Sequence, residues 1–173
     1  MNVSNLIRQH IKHPTVNITL FAQPVDKRQV RIVSVKYGMH DCYNGITARL
    51  SNNPLLKNYS KMIKEHLDGK ALDLGTIKLS FDACTDFQKK VLKAARSIPG
   101  GHTVSYKELA QMSGYPKAVR AVANVMRHNP FPLVIPCHRV IRSDGSIGGF
   151  GGKVRGANIR LKRKLLEREG VTL

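Results

Sequence analysis

The chain has 173 residues, 42% of them hydrophobic, which is enough for a real core in one domain or two small ones and excludes a disordered tail. Lysine and arginine number 29 against 11 acidic residues, a formal charge of +18 that points to a polyanionic partner such as DNA, RNA or an anionic membrane surface. No stretch approaches the roughly 20 consecutive apolar residues of a membrane span.

The opening MNVSNLIRQH lacks the apolar core of a signal peptide, so an intracellular protein is expected, cytoplasmic or nuclear. His10 and His13 are spaced i,i+3 without carboxylate or thiol company and read as surface residues; the sequon Asn17-Ile18-Thr19 carries no consequence in an unsecreted chain. Between Val16 and Val35 apolar residues alternate, as in Val16, Ile18, Leu20 and again Val30, Ile32, which predicts strands with one buried face. Pro24 and Asp26 mark the turn between them. Tyr59, Met62, Ile63, His66 and Leu67 then form a helical stripe closed by Gly69, and Leu72, Leu74, Ile77, Leu79 and Phe81 lead back to extended chain. Residues 1–80 read as a small α/β domain without a chemical motif.

From residue 81 to 173 the pattern is helical and punctuated. Thr85-Asp86-Phe87-Gln88 fits a capping box, and Phe87, Val91, Leu92, Ala95 and Ile98 form one face until Pro99-Gly100-Gly101. Ser105-Tyr106-Lys107-Glu108 is a second box, opening a short helix that ends near Gly114. Pro116 suits the first turn of a third helix running to about Arg127. Two short helices joined by a glycine-containing turn suggest a helix-turn-helix. In the third helix Val119, Val122 and Met126 share one stripe and Lys117, Arg120, Asn124 and Arg127 another, while Ala118, Ala121 and Ala123 keep the surface low enough for a nucleic acid groove. The same helix reads equally well as a solvated one with ordinary charges.

The run LVIPCHRVI, residues 133–141, sets Cys137 between a proline and a histidine. Cys42, Cys84 and Cys137 are an odd set with no close Cys-x-x-Cys, so neither a disulfide framework nor a zinc site is indicated. A thiol with an ordinary pKa of about 8.5 is only roughly 3% ionised at pH 7, and apolar flanks lower that further. A nucleophilic Cys137 therefore needs a base or a positive field, which His138 and Arg139 could supply. Adjacent strand residues face opposite sides, so a Cys137–His138 relay needs a bend at Pro136 or a bridging water. On the last helix Leu161, Leu165 and Glu169 fall at i, i+4 and i+8. Glu169 thus either projects toward the core, where His138 is a reasonable partner, or pairs at the surface with Arg168 or Lys162.

The stretches TDFQKKVLKAARSIPGGHTVSYKELAQMSG, PKAVRAVANVMRHNPFPLVIPCHRVIRSDGSIGGFGG and LKRKLLEREG resemble, in order, the catalytic domain of the methylated-DNA-protein-cysteine methyltransferases, also called alkylguanine-DNA alkyltransferases. The resemblance covers about Phe81 to the C-terminus. It implies an α+β protein of two small domains, an N-terminal α/β domain resembling ribonuclease H and a C-terminal winged helix-turn-helix. It implies that Cys137 takes the alkyl group from guanine O6, and in the widest form of the activity from thymine O4, once and irreversibly, with His138 as base through water and Glu169 orienting it. Asn129 matches the hinge asparagine, Tyr106 the donor to guanine N3, and Arg120 the finger that fills the gap of a flipped nucleotide. Lys117, Ala121 and Arg127 would share the DNA contact, in the minor groove. The carbonyls of Cys137 and Val140 would accept from the guanine amine, and Ser143 to Gly152 would wall the alkyl pocket. Phe150 stands where tyrosine is frequent and Gly151 where serine is common, leaving a backbone N–H for O6; the segment KVRGANIR is longer than usual. The implied partner is double-stranded DNA carrying alkylated guanine, met by a monomer without membrane contact, and the chemistry needs no metal or organic cofactor.

Two other readings use the same features. A DNA-binding regulator with a structural or redox-sensing Cys137 accounts for the charge and helices but not for Pro-Cys-His-Arg together with Glu169. A cysteine hydrolase lacks an evident oxyanion-hole donor.

Overall fold

The alternation after Val16 is realised as β2 (Ile18–Asp26), which pairs antiparallel with β1 (Ile7–Ile11) on one side and β3 (Gln29–Tyr37) on the other. The computed structural model describes residues 5–26, 29–40, 42–70 and 73–173. A parallel pairing of β1 with the short β6 (Arg49–Leu50) completes a sheet of order β3-β2-β1-β6. Between β3 and β6, β4 (Cys42–Tyr43) and β5 (Ile46–Thr47) make a small ladder of their own.

The expectation of one buried face fails for β2, where Ile18 to Ala22 are all buried. Both faces are covered: one by α1 (Pro54–Leu67), which packs on β1 and β3, the other by a cluster of Leu6, Phe21, Val33 and Ala48 flanked by Tyr43 and Ile46. Pro24 and Asp26 lie within β2 rather than at a turn. Among the described residues β1 pairs with β2 only from Ile18 to Ala22, so Pro24 lies beyond the part of the strand paired on both sides, where a proline is tolerated. The two histidines are also more engaged than a surface reading allows. His10 sits in β1 with Nδ1 3.0 Å from Thr19 Oγ1; buried His13 accepts from Thr15 N at Nδ1, and its Nε2 donates to Asp68 at 2.9 Å. Leu72 lies outside the described residues, and Leu74–Thr76 is a 3₁₀ turn before Lys78 to Ser80 bond to Ile32 of β3.

The chain divides into two compact units at Ala83/Cys84, a little after the expected 80/81 boundary. The second unit is built on the two capping boxes. Thr85 caps α2 (Asp86–Arg96), and Ser105, at the end of β7 (Val104–Ser105), caps α3 (Tyr106–Met112); in each the N3 side chain returns to the cap backbone. The third helix, α4 (Val119–Arg127), begins three residues later than Pro116 suggests, because Pro116 and Lys117 are spent in a turn closed by Ala118 N donating to Tyr115 O. It buries Val122, Val125 and Met126 and exposes Arg120, Ala121, Asn124 and Arg127. β8 (Val140–Ile141) pairs parallel with β7, and α5 (Ala157–Arg168) closes the unit with Leu165 and Leu166 buried. The architecture is α+β in two units.

Candidate active site

Residues 129–136 form an irregular loop whose backbone is pinned by one side chain. The Asn129 amide donates from Nδ2 to Ile135 O at 2.9 Å and accepts from Phe131 N at 2.9 Å. Within that clamp Leu133 is buried at φ 72°, a left-handed conformation that costs a non-glycine residue about 1–2 kcal/mol. The loop delivers the chain into a 3₁₀ turn over Cys137–Arg139, not into a strand. Consecutive side chains on such a turn need not point to opposite faces.

The thiol stands apart, while His138 and Arg139 converge on one carboxylate. The Cys137 thiol is buried, and burial pushes its pKa up, while Asn129 and Lys162 pull it back. His138 is fully buried; its Nε2 lies 3.0 Å from Glu169 Oε1, and its Nδ1 is buried without a hydrogen-bond partner among the described residues. Burial holds the imidazole below its ordinary pKa although Glu169 acts the other way. Arg139 grips both oxygens of the same carboxylate through one edge, Nε to Oε2 at 2.9 Å and Nη2 to Oε1 at 2.8 Å, and sends Nη1 to Ile98 O at 2.6 Å. Burial raises the Glu169 carboxyl, but the His138 and Arg139 hydrogen bonds and charges outweigh it and hold the pKa at about 2. An ionised Glu169 fixes the imidazole with its proton on Nε2, so Nδ1 is the basic nitrogen. Glu169 is the cap residue of α5, and it pairs with His138 and Arg139, not with Lys162.

A cavity of about 170 Å³ opens onto the thiol, lined by Tyr106, Met126, Arg127, Cys137, Phe150 and Val154 among others. Of the expected pocket residues, Tyr106, Phe150 and Gly151 line it. Ser143 does not: it is exposed in a turn closed by Arg142 N to Ser146 O, which directs it to solvent. Val140 does not line it either: it is fully buried, and its carbonyl accepts from Lys162 Nζ at 2.5 Å. The Tyr106 phenol is raised above its ordinary pKa by burial and by Cys137, and Arg142 offsets only part of this. Gly151 has a physical reason: at φ 52° a Cβ would stand 2.9 Å from Asn158 Nδ2, so a serine would be strained there. Arg120, Ala121 and Arg127 share the exposed side of α4, whereas Lys117 precedes the helix.

The sequence reading missed Lys162, Lys153, Val154 and the bidentate role of Arg139. Lys162 was legible as a charge four residues after Asn158 and three before Leu165, on the apolar stripe of α5. Among the described residues no group of three or more His, Cys, Asp or Glu is placed to hold a metal ion, and no helix is long and apolar enough to cross a membrane.

Residues 86–171 match the family model of the 6-O-methylguanine DNA methyltransferase DNA-binding domain. The chain is 45% identical over 118 residues to a methylated-DNA-protein-cysteine methyltransferase of Methanothermobacter thermautotrophicus, covering 68% of this chain and 63% of that protein. It is 48% identical over 86 residues to the Mus musculus protein of the same name, covering 49% of this chain and 39% of the relative. The chain thus spans less than two thirds of the length of these curated relatives. The crystal structure of Mycobacterium tuberculosis OGT in complex with DNA superposes with a TM-score of 0.74 at 30% identity, over 94% of this chain and 92% of that one.

Proposed function

Because this chain belongs to the methylated-DNA-protein-cysteine methyltransferase family, we propose that it repairs double-stranded DNA by moving an alkyl group from guanine O6 onto Cys137. The observation that carries the reading is the Cys137, His138, Glu169 series, in which a thiol facing a cavity adjoins an imidazole whose proton is fixed by a buried carboxylate. Cys137 Sγ attacks the alkyl carbon in line; the S–C bond forms as the C–O6 bond breaks. The thiol proton passes through water to His138 Nδ1, and Glu169 stabilises the imidazolium. The departing guanine takes a proton at N3 from Tyr106, whose raised pKa keeps the phenol protonated until then.

In this reading the guanine edge is held by the Gly151 N–H and the Val140 carbonyl; Gly151 and Phe150 line the cavity, and Phe150 walls the alkyl group. Arg120, with Ala121, Lys117 and Arg127 around it, holds the duplex from the minor groove while the base is flipped out. The reading extends to O4-alkylthymine only where the cavity accepts a pyrimidine. The product is an unactivated thioether with no route for hydrolysis, so the reaction runs once per chain. The reaction needs Cys137 as a reduced thiol, which fits an intracellular location, cytoplasmic or nuclear, where thiols are kept reduced.

Intact and peptide mass after incubation with duplex DNA carrying O6-methylguanine tests this. The expected result is one methyl group on the Cys137 peptide, never exceeding one per chain, and none in Cys137→Ser, which still binds DNA. Product rising past equimolar would remove the single-turnover reading, and an unmodified Cys137 would leave a DNA-binding protein only.

A further inference from the structure

The first unit carries no chemical motif, yet one of its helices bears a charge pattern that the fold does not use. On α1 the side chains of Lys57, Lys61 and Lys64 fall at i, i+4 and i+7, and all three are exposed. They form one stripe, about 10 Å long at a rise of about 1.5 Å per residue. Like charges three and four residues apart repel, so the stripe weakens the helix that bears it. Lys57 also stands near the positive end of the helix dipole, where the first turn holds no acidic residue to offset it. Two carboxylates fall four residues after a lysine of the stripe, and both are engaged elsewhere: Glu65 accepts from Lys70 at 3.1 Å, and Asp68 from His13 at 2.9 Å. Among the described residues no carboxylate pairs with any of the three ammonium groups.

The other face of α1 narrows the kind of partner. Leu56, Tyr59, Ile63 and Leu67 are buried and spent on the sheet, where α1 packs on β1 and β3. A helix that lies on a lipid surface inserts an apolar face beside its basic one. None of the exposed large hydrophobic residues is on α1. What the helix offers is ammonium groups, compact point charges that suit phosphate oxygens and read no base. About 10 Å of duplex axis carries about six phosphate charges, so the stripe suits a row of phosphates and not a single anion.

We propose that the Lys57, Lys61 and Lys64 face of α1 is a second DNA-binding surface, which holds the phosphate backbone irrespective of sequence or damage and gives the first unit a function of its own. The choice of DNA as the polyanion rests on the alkyl-transfer reading above. The stripe takes no part in the chemistry at Cys137. It contributes binding alone, so it lowers the DNA concentration at which transfer is half-maximal and leaves the limiting rate unchanged.

The test measures binding of a short undamaged duplex by fluorescence anisotropy from about 50 to 200 mM salt, the range over which phosphate contacts are read. The wild type is compared with a triple variant Lys57→Gln, Lys61→Gln, Lys64→Gln and with the same three positions changed Lys→Arg, thermal unfolding reporting the fold of each. Glutamine matches lysine in helix propensity, so the glutamine variant is expected to fold. Its plot of log affinity against log salt is expected to be shallower by about 2 to 3, and its affinity at the low-salt end at least about tenfold weaker. The arginine variant keeps both. With an O6-methylguanine duplex the glutamine variant needs more DNA for half-maximal transfer and reaches the wild-type limiting rate. An unchanged salt slope in the folded glutamine variant overturns the proposal, and so does a lowered limiting rate with affinity retained. Capture by vesicles of phosphatidylglycerol and phosphatidylcholine that depends on the three lysines, with DNA binding intact, assigns the face to a membrane and overturns it too. If the triple variant does not fold, Lys57→Gln and Lys61→Gln singly decide, each expected to lower the slope by about 0.9. Failure of the alkyl-transfer reading is distinct: Cys137 takes up no methyl, while binding of undamaged DNA still depends on the lysines.

Discussion

Glu169 keeps its charge in a half-buried place because three N–H donors converge on one carboxylate, one from His138 and two from Arg139. A carboxyl whose folded pKa is held at about 2, below its ordinary 4.5, stabilises the fold fully above pH about 4.5, and that contribution is lost as pH falls toward 2. Glu169→Gln keeps the shape but loses the charge, and hydrogen bonds to charged groups contribute about 1.5–3 kcal/mol. The variant is expected to unfold more easily than the wild type by that order at pH 7, with the gap narrowing by pH 3, as urea unfolding at the two pH values would measure. Transfer should also slow, because a neutral amide no longer stabilises the imidazolium that His138 becomes; an unchanged rate would remove Glu169 from the relay.

Helix ends decide where the reacting groups stand. Ser105 caps α3 and Tyr106 is its first residue, so the cap sets the phenol directly, whereas Thr85 caps α2 away from the cavity. Ser105→Ala and Thr85→Ala are each expected to cost about 1 kcal/mol in thermal or urea unfolding. Only Ser105→Ala should slow transfer as well, and equal kinetic effects would show that the cap does not position Tyr106. Both boxes were legible because the signal is local, a hydroxyl residue and a Glu or Gln three positions on. The start of α4 was not, since Ala118 offers no side-chain cap and Pro116 is as suitable in the preceding turn. Arg120 is exposed in the first turn of that helix. Arg120→Ala is expected to slow repair of a base within a duplex far more than reaction with the free modified base, as paired rate measurements would reveal; equal losses would assign Arg120 to the fold.

Across the molecule, legibility depended on sequence distance. The second unit is built from capped helices and a contiguous run through Cys137, so its elements could be read from local spacing. In the first unit the parallel register of β1 with β6 joins Ile7 to Arg49, and no periodicity announces such a partner. The buried Lys162 was missed for the opposite reason, because a charge in a helical stripe is ordinarily solvated. The 3₁₀ turn at Cys137–Arg139 also limits how this site can vary in length. With three residues per turn, each added residue rotates the downstream side chains by about 120°, so the thiol, imidazole and guanidinium would each arrive at a neighbour's destination. An alanine inserted between Pro136 and Cys137 should therefore abolish transfer even in a folded chain. Two residues inserted between Arg155 and Gly156, in an exposed stretch, should leave transfer within about twofold. In this protein the permissible reading frame of insertions and deletions is set turn by turn, and the reactive triplet has room for none.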